Sequence, residues 1–197
     1  MGDYFERIID LDVTSAEAGA LAEHMVEWMV QRRWILRETS SEAMYSLGVD
    51  EGYLPGPQWS EITQEWGEDW IPAPVAVIVG RHAHYSGQGE IEPAAAICPH
   101  CQAGTVIIDY PQRWEADPAV WQPFSDAIEA WKHTGAGAAT CPACTIASPI
   151  TAWGWADDFA LGTLAVDFWG WPPLTEDFIA EFGRRLGHRI AHHTGKF

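Results

Sequence analysis

Four cysteines arranged in two pairs are the residues of this chain best suited to carry chemistry. Cys98 and Cys101 stand in the order Cys-Pro-His-Cys, and Cys141 and Cys144 in the order Cys-Pro-Ala-Cys. Two intervening residues let both thiolates of one turn bind the same tetrahedral cation, and two such turns supply four sulfur ligands, which suits zinc. The chain has no other cysteine. The spacing therefore predicts one structural Zn²⁺ bound by all four thiolates.

The sequence around each pair resembles a knuckle of a zinc ribbon. In the first, Ile97 precedes Cys-Pro-His-Cys, and Gly104 precedes a β-branched stretch after it. Residues 140–145 resemble the second knuckle but have no glycine directly after Cys144. The proline after each first cysteine fixes φ and lowers the entropy cost of closing the turn. The resemblance covers residues 95–152; it implies a metal site and says nothing specific about function.

The connection between the two pairs indicates an enlarged module. It spans residues 102–140, which is longer than the roughly 15–20 residues typical of a compact ribbon. Apolar residues at helical spacing predict a helix at 119–133 within it. We therefore predict a zinc-ribbon-like module at residues 94–153, inserted into a single α+β domain that comprises residues 1–197.

A redox interpretation of the first pair is the alternative. Cys-Pro-His-Cys resembles the active-site tetrapeptide of DsbA-type thiol oxidoreductases, in which a helix N-terminus lowers the pKa of the first thiol. In this chain the tetrapeptide is followed by residues 102–107, which are typical of a turn and a strand. A thiol–disulfide oxidoreductase that uses Cys98 and Cys101 is therefore the second interpretation, and it leaves the other pair unexplained.

The elements that must position these residues follow from periodicity and from helix-end signals. Both ends of the chain follow a strand–helix–strand order, which predicts an α+β fold with helices packed on an antiparallel or mixed sheet and is compatible with a ferredoxin-like topology. The predicted helices lie at residues 15–31, 119–133 and between Thr175 and Gly187; the predicted strands lie at 4–13, 34–36, 75–85, 105–109, 146–153, 161–169 and 188–192. Residues 38–74 are predicted to be a long connection with one short helix at 59–66.

Two Trp-Gly-Trp motifs offer a second candidate site. In an extended chain Trp153 and Trp155 share one face, as do Trp169 and Trp171, and Asp167 is close enough in sequence to add a hydrogen-bonding group. One interpretation is an aromatic surface for a partner, and another is the wall of a small-molecule pocket in an enzyme or a binding protein. The third is that these indoles pack the last helix onto the sheet.

Charge and hydropathy narrow the class of partner. The chain has 28 acidic and 11 basic side chains, a formal net charge of −17, which disfavours nucleic acid and favours a basic protein. No apolar run reaches the roughly 18 residues of a membrane helix, and acidic residues near the start disfavour a signal peptide. We therefore expect a cytoplasmic, non-catalytic zinc-binding protein that acts through an acidic, tryptophan-rich surface.

Overall fold

The computed structural model describes residues 4–46, 48–65, 67, 70–85, 92–156 and 159–196. The chain divides into two compact units, the first made of Met1–Gly80 and Gly162–Phe197 and the second of Arg81–Leu161. The predicted module at residues 94–153 falls inside the second unit. Three helices and a mostly antiparallel six-stranded sheet confirm the predicted α+β class.

The described chain forms three α-helices and eleven strands. They are β1 (Tyr4–Asp10), α1 (Ala18–Gln31), β2 (Ile35–Ser40), β3 (Gly52–Pro55), β4 (Val75–His84), β5 (Ala95–Ile97), β6 (Gly104–Val106), α2 (Pro118–Thr134), β7 (Ala138–Thr140), β8 (Ala147–Pro149), β9 (Gly154–Trp155), β10 (Ala160–Trp169), α3 (Glu176–Leu186) and β11 (Ile190–Lys196). All three predicted helices are therefore present, with ends that differ by a few residues at most.

The sheets are built by antiparallel pairing. The six-stranded sheet has the order β11-β1-β10-β4-β3-β2, and β1 lies between β10 and β11, with Ile8 opposite Val166 and His192. The second unit contains a three-stranded sheet, β6-β5-β9, and a two-stranded sheet, β7-β8. These two small sheets carry the cysteine pairs, because each pair lies in the turn between two short strands.

The core of the first unit is aromatic and lies between helices α1 and α3 and one face of the sheet. Trp28 of α1 stacks on Phe178 of α3 at 6.1 Å and meets Trp34 edge to face at 5.1 Å. The Thr175 hydroxyl accepts a hydrogen bond from the Phe178 amide, and Gly187 ends α3 in the left-handed conformation at φ 73°. The helix-end signals therefore fix where α3 begins and ends, and its apolar face then packs against α1.

The structure differs from the sequence predictions mainly in the connections. Residues 38–74 contain strand β3, which we did not predict, and the helix predicted at 59–66 is a single 3-10 turn, Trp59–Ile62. A Cβ on Gly52 would lie 2.9 Å from the carbonyl oxygen of Val75, so glycine is what allows β3 to approach β4. The strand predicted at 146–153 stops at Pro149, because proline has no amide hydrogen to continue the ladder.

None of the helices described combines the length and the apolar character that are needed to cross a membrane.

Candidate metal centre

The four cysteine sulfurs converge on one point in the second unit. The Sγ atoms of Cys98 and Cys144 are 3.8 Å apart, those of Cys101 and Cys141 are 3.7 Å apart, and all four lie within 4.8 Å of one another. A tetrahedral ZnS₄ group with Zn–S bonds of about 2.3 Å has sulfur–sulfur edges of about 3.8 Å. All four cysteines are free, and two of the six sulfur–sulfur distances match an edge of such a tetrahedron.

Two turns with the same hydrogen-bond pattern hold these sulfurs. In the first, the Cys98 amide donates to the carbonyl of Ala103 at 3.0 Å, and the Gln102 amide donates to the carbonyl of Cys98 at 3.1 Å. In the second, the Cys141 amide donates to the carbonyl of Ile146 at 3.0 Å, and the Thr145 amide donates to the carbonyl of Cys141 at 2.9 Å. The two cysteine pairs are therefore presented by near-identical backbone turns, each closed by its own short hairpin.

The position at which the second turn lacks the expected glycine has a left-handed backbone. The residue four positions after the first cysteine has a left-handed conformation in both turns, with φ 60° at Gln102 and φ 60° at Thr145. Neither residue is glycine, so both turns accept the cost of a side chain in this region. The side-chain amide of Gln102 donates to the carbonyls of Cys98 and Pro99, both at 3.2 Å, and these bonds help to hold the first turn.

Amide groups of the turns stabilise thiolates. The amide of Cys101 lowers the pKa of Cys98, and the amide of Cys144 lowers the pKa of Cys141 to about 7, although burial opposes both shifts. At Cys144 the amide of Ile146 acts in the same direction, but burial and the three neighbouring sulfurs outweigh it and raise the pKa to about 12. Four thiolates this close repel one another without a cation, and a bound metal ion removes that repulsion.

The cysteines belong to the hydrophobic core of the second unit. Cys98 and Cys141 are fully buried, whereas Cys101 is exposed and Cys144 is intermediate. The core around the two buried cysteines includes Phe124, Ile128 and Trp131 of helix α2. A metal ion at this point would therefore tie together the two hairpins against which α2 packs.

Among the residues that the structure describes, the histidines form no second ligand group with the carboxylates. In the described part of the chain, the four cysteines are the group of three or more metal-binding side chains whose ligand atoms converge. His192 lies against Glu6 with a 2.6 Å contact, and His188 contacts Asp10 at 2.8 Å. These contacts are side-chain pairs of the first unit.

The tryptophans of the two Trp-Gly-Trp motifs lie in the cores of two different units. Trp153 is buried in the second unit, where it meets Phe124 edge to face at 4.8 Å, and Trp155 is half-buried against the ring of Phe159. Trp169 and Trp171 are buried in the first unit. Burial of an indole is strongly favourable. Three of the four indoles are therefore buried, and Trp153 packs against helix α2 rather than against the last helix.

Asp167, the remaining predicted site residue, lies in a buried polar cluster that the sequence did not reveal. Its carboxylate is fully buried and accepts two hydrogen bonds from Arg7, at 2.5 and 2.8 Å, and one from the Ser46 hydroxyl at 2.7 Å. The Ser46 oxygen accepts in turn from the indole nitrogen of Trp169 at 2.5 Å. In the sequence, Asp167 is the one charged residue of the otherwise apolar strand β10, whereas β1 carries Glu6, Arg7 and Asp10 and so does not single out Arg7.

His193 of strand β11 lies opposite Arg7 and is buried beside this cluster. Its Nδ1 atom is buried and makes no hydrogen bond within the part of the chain that the structure describes. Burial, and then the positive charges of Arg7 and His192, lower the pKa of His193 to about 4, although Asp167 opposes the shift. The folded protein therefore holds His193 neutral at a pH at which an ordinary histidine is protonated.

This shift predicts a loss of stability in mild acid. Between the ordinary histidine pKa of about 6.5 and the folded value, the unfolded chain binds a proton that the folded chain does not, so stability falls as the pH falls. At about pH 5 the loss is about 2 kcal/mol relative to neutral pH, and His193→Gln abolishes this part of it. Urea unfolding of both proteins at the two pH values measures the difference. His188 and His192 are present in both, so equal pH dependence of wild type and variant would contradict the prediction.

The chain matches no protein-family model, no curated protein sequence and no solved structure. The geometry of the cysteine site and the charge of the chain are therefore the features that indicate its function.

Proposed function

We propose that this protein is a non-catalytic zinc-binding protein that acts by binding another protein. The observation that carries the metal assignment is the pair of sulfur–sulfur distances, 3.7 and 3.8 Å, which match the edges of a ZnS₄ tetrahedron. A catalytic zinc keeps one coordination position for water or substrate, whereas a structural zinc has four protein ligands. Cys98, Cys101, Cys141 and Cys144 fill all four positions, which supports a structural role.

The proposed metal joins segments that are distant in sequence. It ties the turn at residues 98–101 to the turn at residues 141–144, with helix α2 in the chain between them. Because the binding free energy of a structural zinc is available only to the folded state, it adds directly to the stability of the second unit. Within this proposal residues 95–152 are an elaborated zinc-ribbon-like module.

We also propose a ferredoxin-like topology for the first unit. Strands β11, β1, β10 and β4 are adjacent in that order, and helices α1 and α3 follow β1 and β10 in the chain. If the four strands are numbered by their order along the chain, the sheet reads 4-1-3-2. The hairpin β2–β3 then extends the β4 edge of the sheet.

The rival function, thiol–disulfide exchange at Cys98 and Cys101, has less support. An oxidoreductase of that kind needs its first thiol at a helix N-terminus, and here the turn leads into strand β6. The sulfur of Cys98 is 3.8 Å from that of Cys144, in the other pair, which fits shared coordination of one ion. A small-molecule pocket walled by Trp153, Trp155, Trp169 and Trp171 has less support still, because three of these indoles are buried and Trp155 is half-buried.

The proposed partner is a basic protein. The net charge of −17 speeds association with cationic surfaces and repels nucleic acid, and four thiolates around one Zn²⁺ add about two negative charges to the second unit. The two Trp-Gly-Trp motifs do not supply the contact surface, since most of their indoles are buried. A cytoplasmic location is part of this proposal, because reduced thiols persist there.

Metal analysis of tag-free protein tests the zinc assignment. We expect one zinc per chain by elemental mass spectrometry, with all four thiols unreactive until a chelator is added and then released together. Iron in place of zinc would change the metal assignment, because four thiolates also suit iron. Protein without metal, in which Cys98 and Cys101 cycle between thiol and disulfide at a defined potential, would overturn the proposal in favour of redox chemistry.

A further inference from the structure

The second unit contains a cavity that no cysteine lines. Its volume is about 430 Å³, within the range of about 300–1,000 Å³ that is usual for small-molecule sites. Three aromatic residues, Tyr110, Trp114 and Trp121, line it together with two carboxylates, Glu92 and Glu115. The cavity is therefore both aromatic and acidic.

The aromatic side chains are arranged at an angle, and one of them is unusually exposed. The rings of Tyr110 and Trp114 are 4.9 Å apart and inclined at 67°. The Trp114 side chain is 75% exposed, although burial of an indole is normally among the most favourable packing contributions of a fold. Trp121, in contrast, is held edge to face by Trp155 and Phe159. The cavity is thus lined by one indole that is held in place, that of Trp121, and by one that is largely exposed to solvent, that of Trp114.

The charge at the cavity selects a cation. Glu92 and Glu115 line it, and among the residues that the structure describes no lysine, arginine or histidine does. The basic residue nearest in sequence, Arg113, is paired with Asp117 at 2.8 Å. The net charge of −17 of the whole chain further disfavours an anionic ligand.

The segment that contributes Tyr110, Trp114 and Glu115 to the cavity is fixed to the rest of the second unit. The Asp117 amide donates to the carbonyl of Ile107 at 2.8 Å, and the Asp117 side chain caps helix α2 by accepting from the Ala119 amide at 3.0 Å. The Arg113 amide donates to the carbonyl of Asp109 at 2.9 Å. A site built on a segment anchored at both ends loses less conformational freedom on binding.

We propose that this cavity binds an alkylammonium cation, of the quaternary or methylated kind. Tryptophan and tyrosine rings attract such a cation when it lies within about 6 Å of the ring centre, and nearby carboxylates add a Coulomb attraction. The cation comes either from a free quaternary amine or from a methylated lysine of a protein. In the second case the inference deepens the proposed function and rests on it, because it names the group by which a basic partner is recognised.

Calorimetric titration of the full zinc-loaded chain tests the cation requirement. The probes are choline and its uncharged isostere, 3,3-dimethylbutan-1-ol, which has the same shape without the charge. We expect saturable binding of choline and at least roughly tenfold weaker binding of the alcohol. A peptide with one trimethyl-lysine and the same peptide with unmodified lysine distinguish the two sources. Tighter binding of the modified peptide than of choline assigns the site to a protein partner, and binding of choline alone assigns it to a free amine.

Two variants locate the binding. Trp114→Ala removes an exposed ring and should weaken binding of the cation roughly tenfold, while Glu115→Gln removes one charge and should weaken it severalfold. Glu129→Gln is the matched control, because Glu129 is an exposed glutamate of helix α2 that does not line the cavity. This control should bind the cation as the wild type does.

Equal binding of choline and the uncharged alcohol would overturn the inference, and so would unchanged binding in Trp114→Ala or the absence of saturable binding of any cationic probe. Zinc content measured on the same samples keeps the two proposals separate. A chain with one zinc and no cation binding rejects the cation site alone, and a chain that binds the cation without zinc rejects the metal assignment alone.

Discussion

On the proposed metal assignment, Cys141→Ser will fail to hold zinc and will lose the folded structure of the second unit, while the first unit keeps its own. The variant has three ligands in place of four and an uncompensated hydroxyl at a fully buried position. Structural zinc contributes an apparent free energy of about 10–16 kcal/mol in small domains, and whole domains are stable by only about 5–15 kcal/mol. The loss therefore exceeds what the remaining core of Phe124, Ile128 and Trp131 can supply.

Hydrogen exchange measured by mass spectrometry can follow each unit separately. In Cys141→Ser we expect loss of protection in helix α2, Pro118–Thr134, and retained protection in helix α3, Glu176–Leu186. Ala143→Ser is the matched control, because it adds a hydroxyl to the same turn, at an exposed position, without removing a ligand. Wild-type protection of α2 in the cysteine variant, or zinc retained at one per chain, would contradict a structural role for the metal.

Local features of the sequence were sufficient to predict the candidate metal ligands. Two residues between cysteines place both sulfurs on one turn whatever the rest of the fold does, so Cys98, Cys101, Cys141 and Cys144 could be named without a structure. The helix ends were predictable for the same reason, since a cap such as Thr175 acts within one turn. The metal itself remains a prediction that elemental analysis decides.

Features that depend on distant pairing were not predictable in the same way. Strand β3 is four residues long with glycine and proline at its ends, and it is a strand because Tyr53 pairs with Val75 of β4. Likewise, nothing near Trp169 in sequence shows that Tyr45 and Ser46 cover it. The local sequence around a tryptophan on a strand is the same whether a remote segment buries its indole or the indole is exposed to solvent.

Asp167→Asn will destabilise the first unit more than any surface charge change. The carboxylate is separated from Arg7 by 160 residues and is buried with it, so the variant removes the negative charge that accepts two hydrogen bonds from the Arg7 guanidinium. Breaking a buried ion pair by removing one partner costs about 3–5 kcal/mol, because the remaining charge loses a group that offset its desolvation. Protection of β1 against hydrogen exchange measures the loss in the unit concerned.

An exposed pair made of the same groups supplies the control. Arg189 and Asp12 also form a two-point guanidinium–carboxylate contact, with a closest distance of 2.6 Å, but the arginine is 75% exposed. Asp12→Asn should therefore change stability by no more than about 1 kcal/mol. If Asp167→Asn costs no more than Asp12→Asn, the buried pair is not a determinant of the fold. A double variant, Arg7→Met with Asp167→Leu, should recover much of the loss, because it removes both charges and leaves neither unpaired.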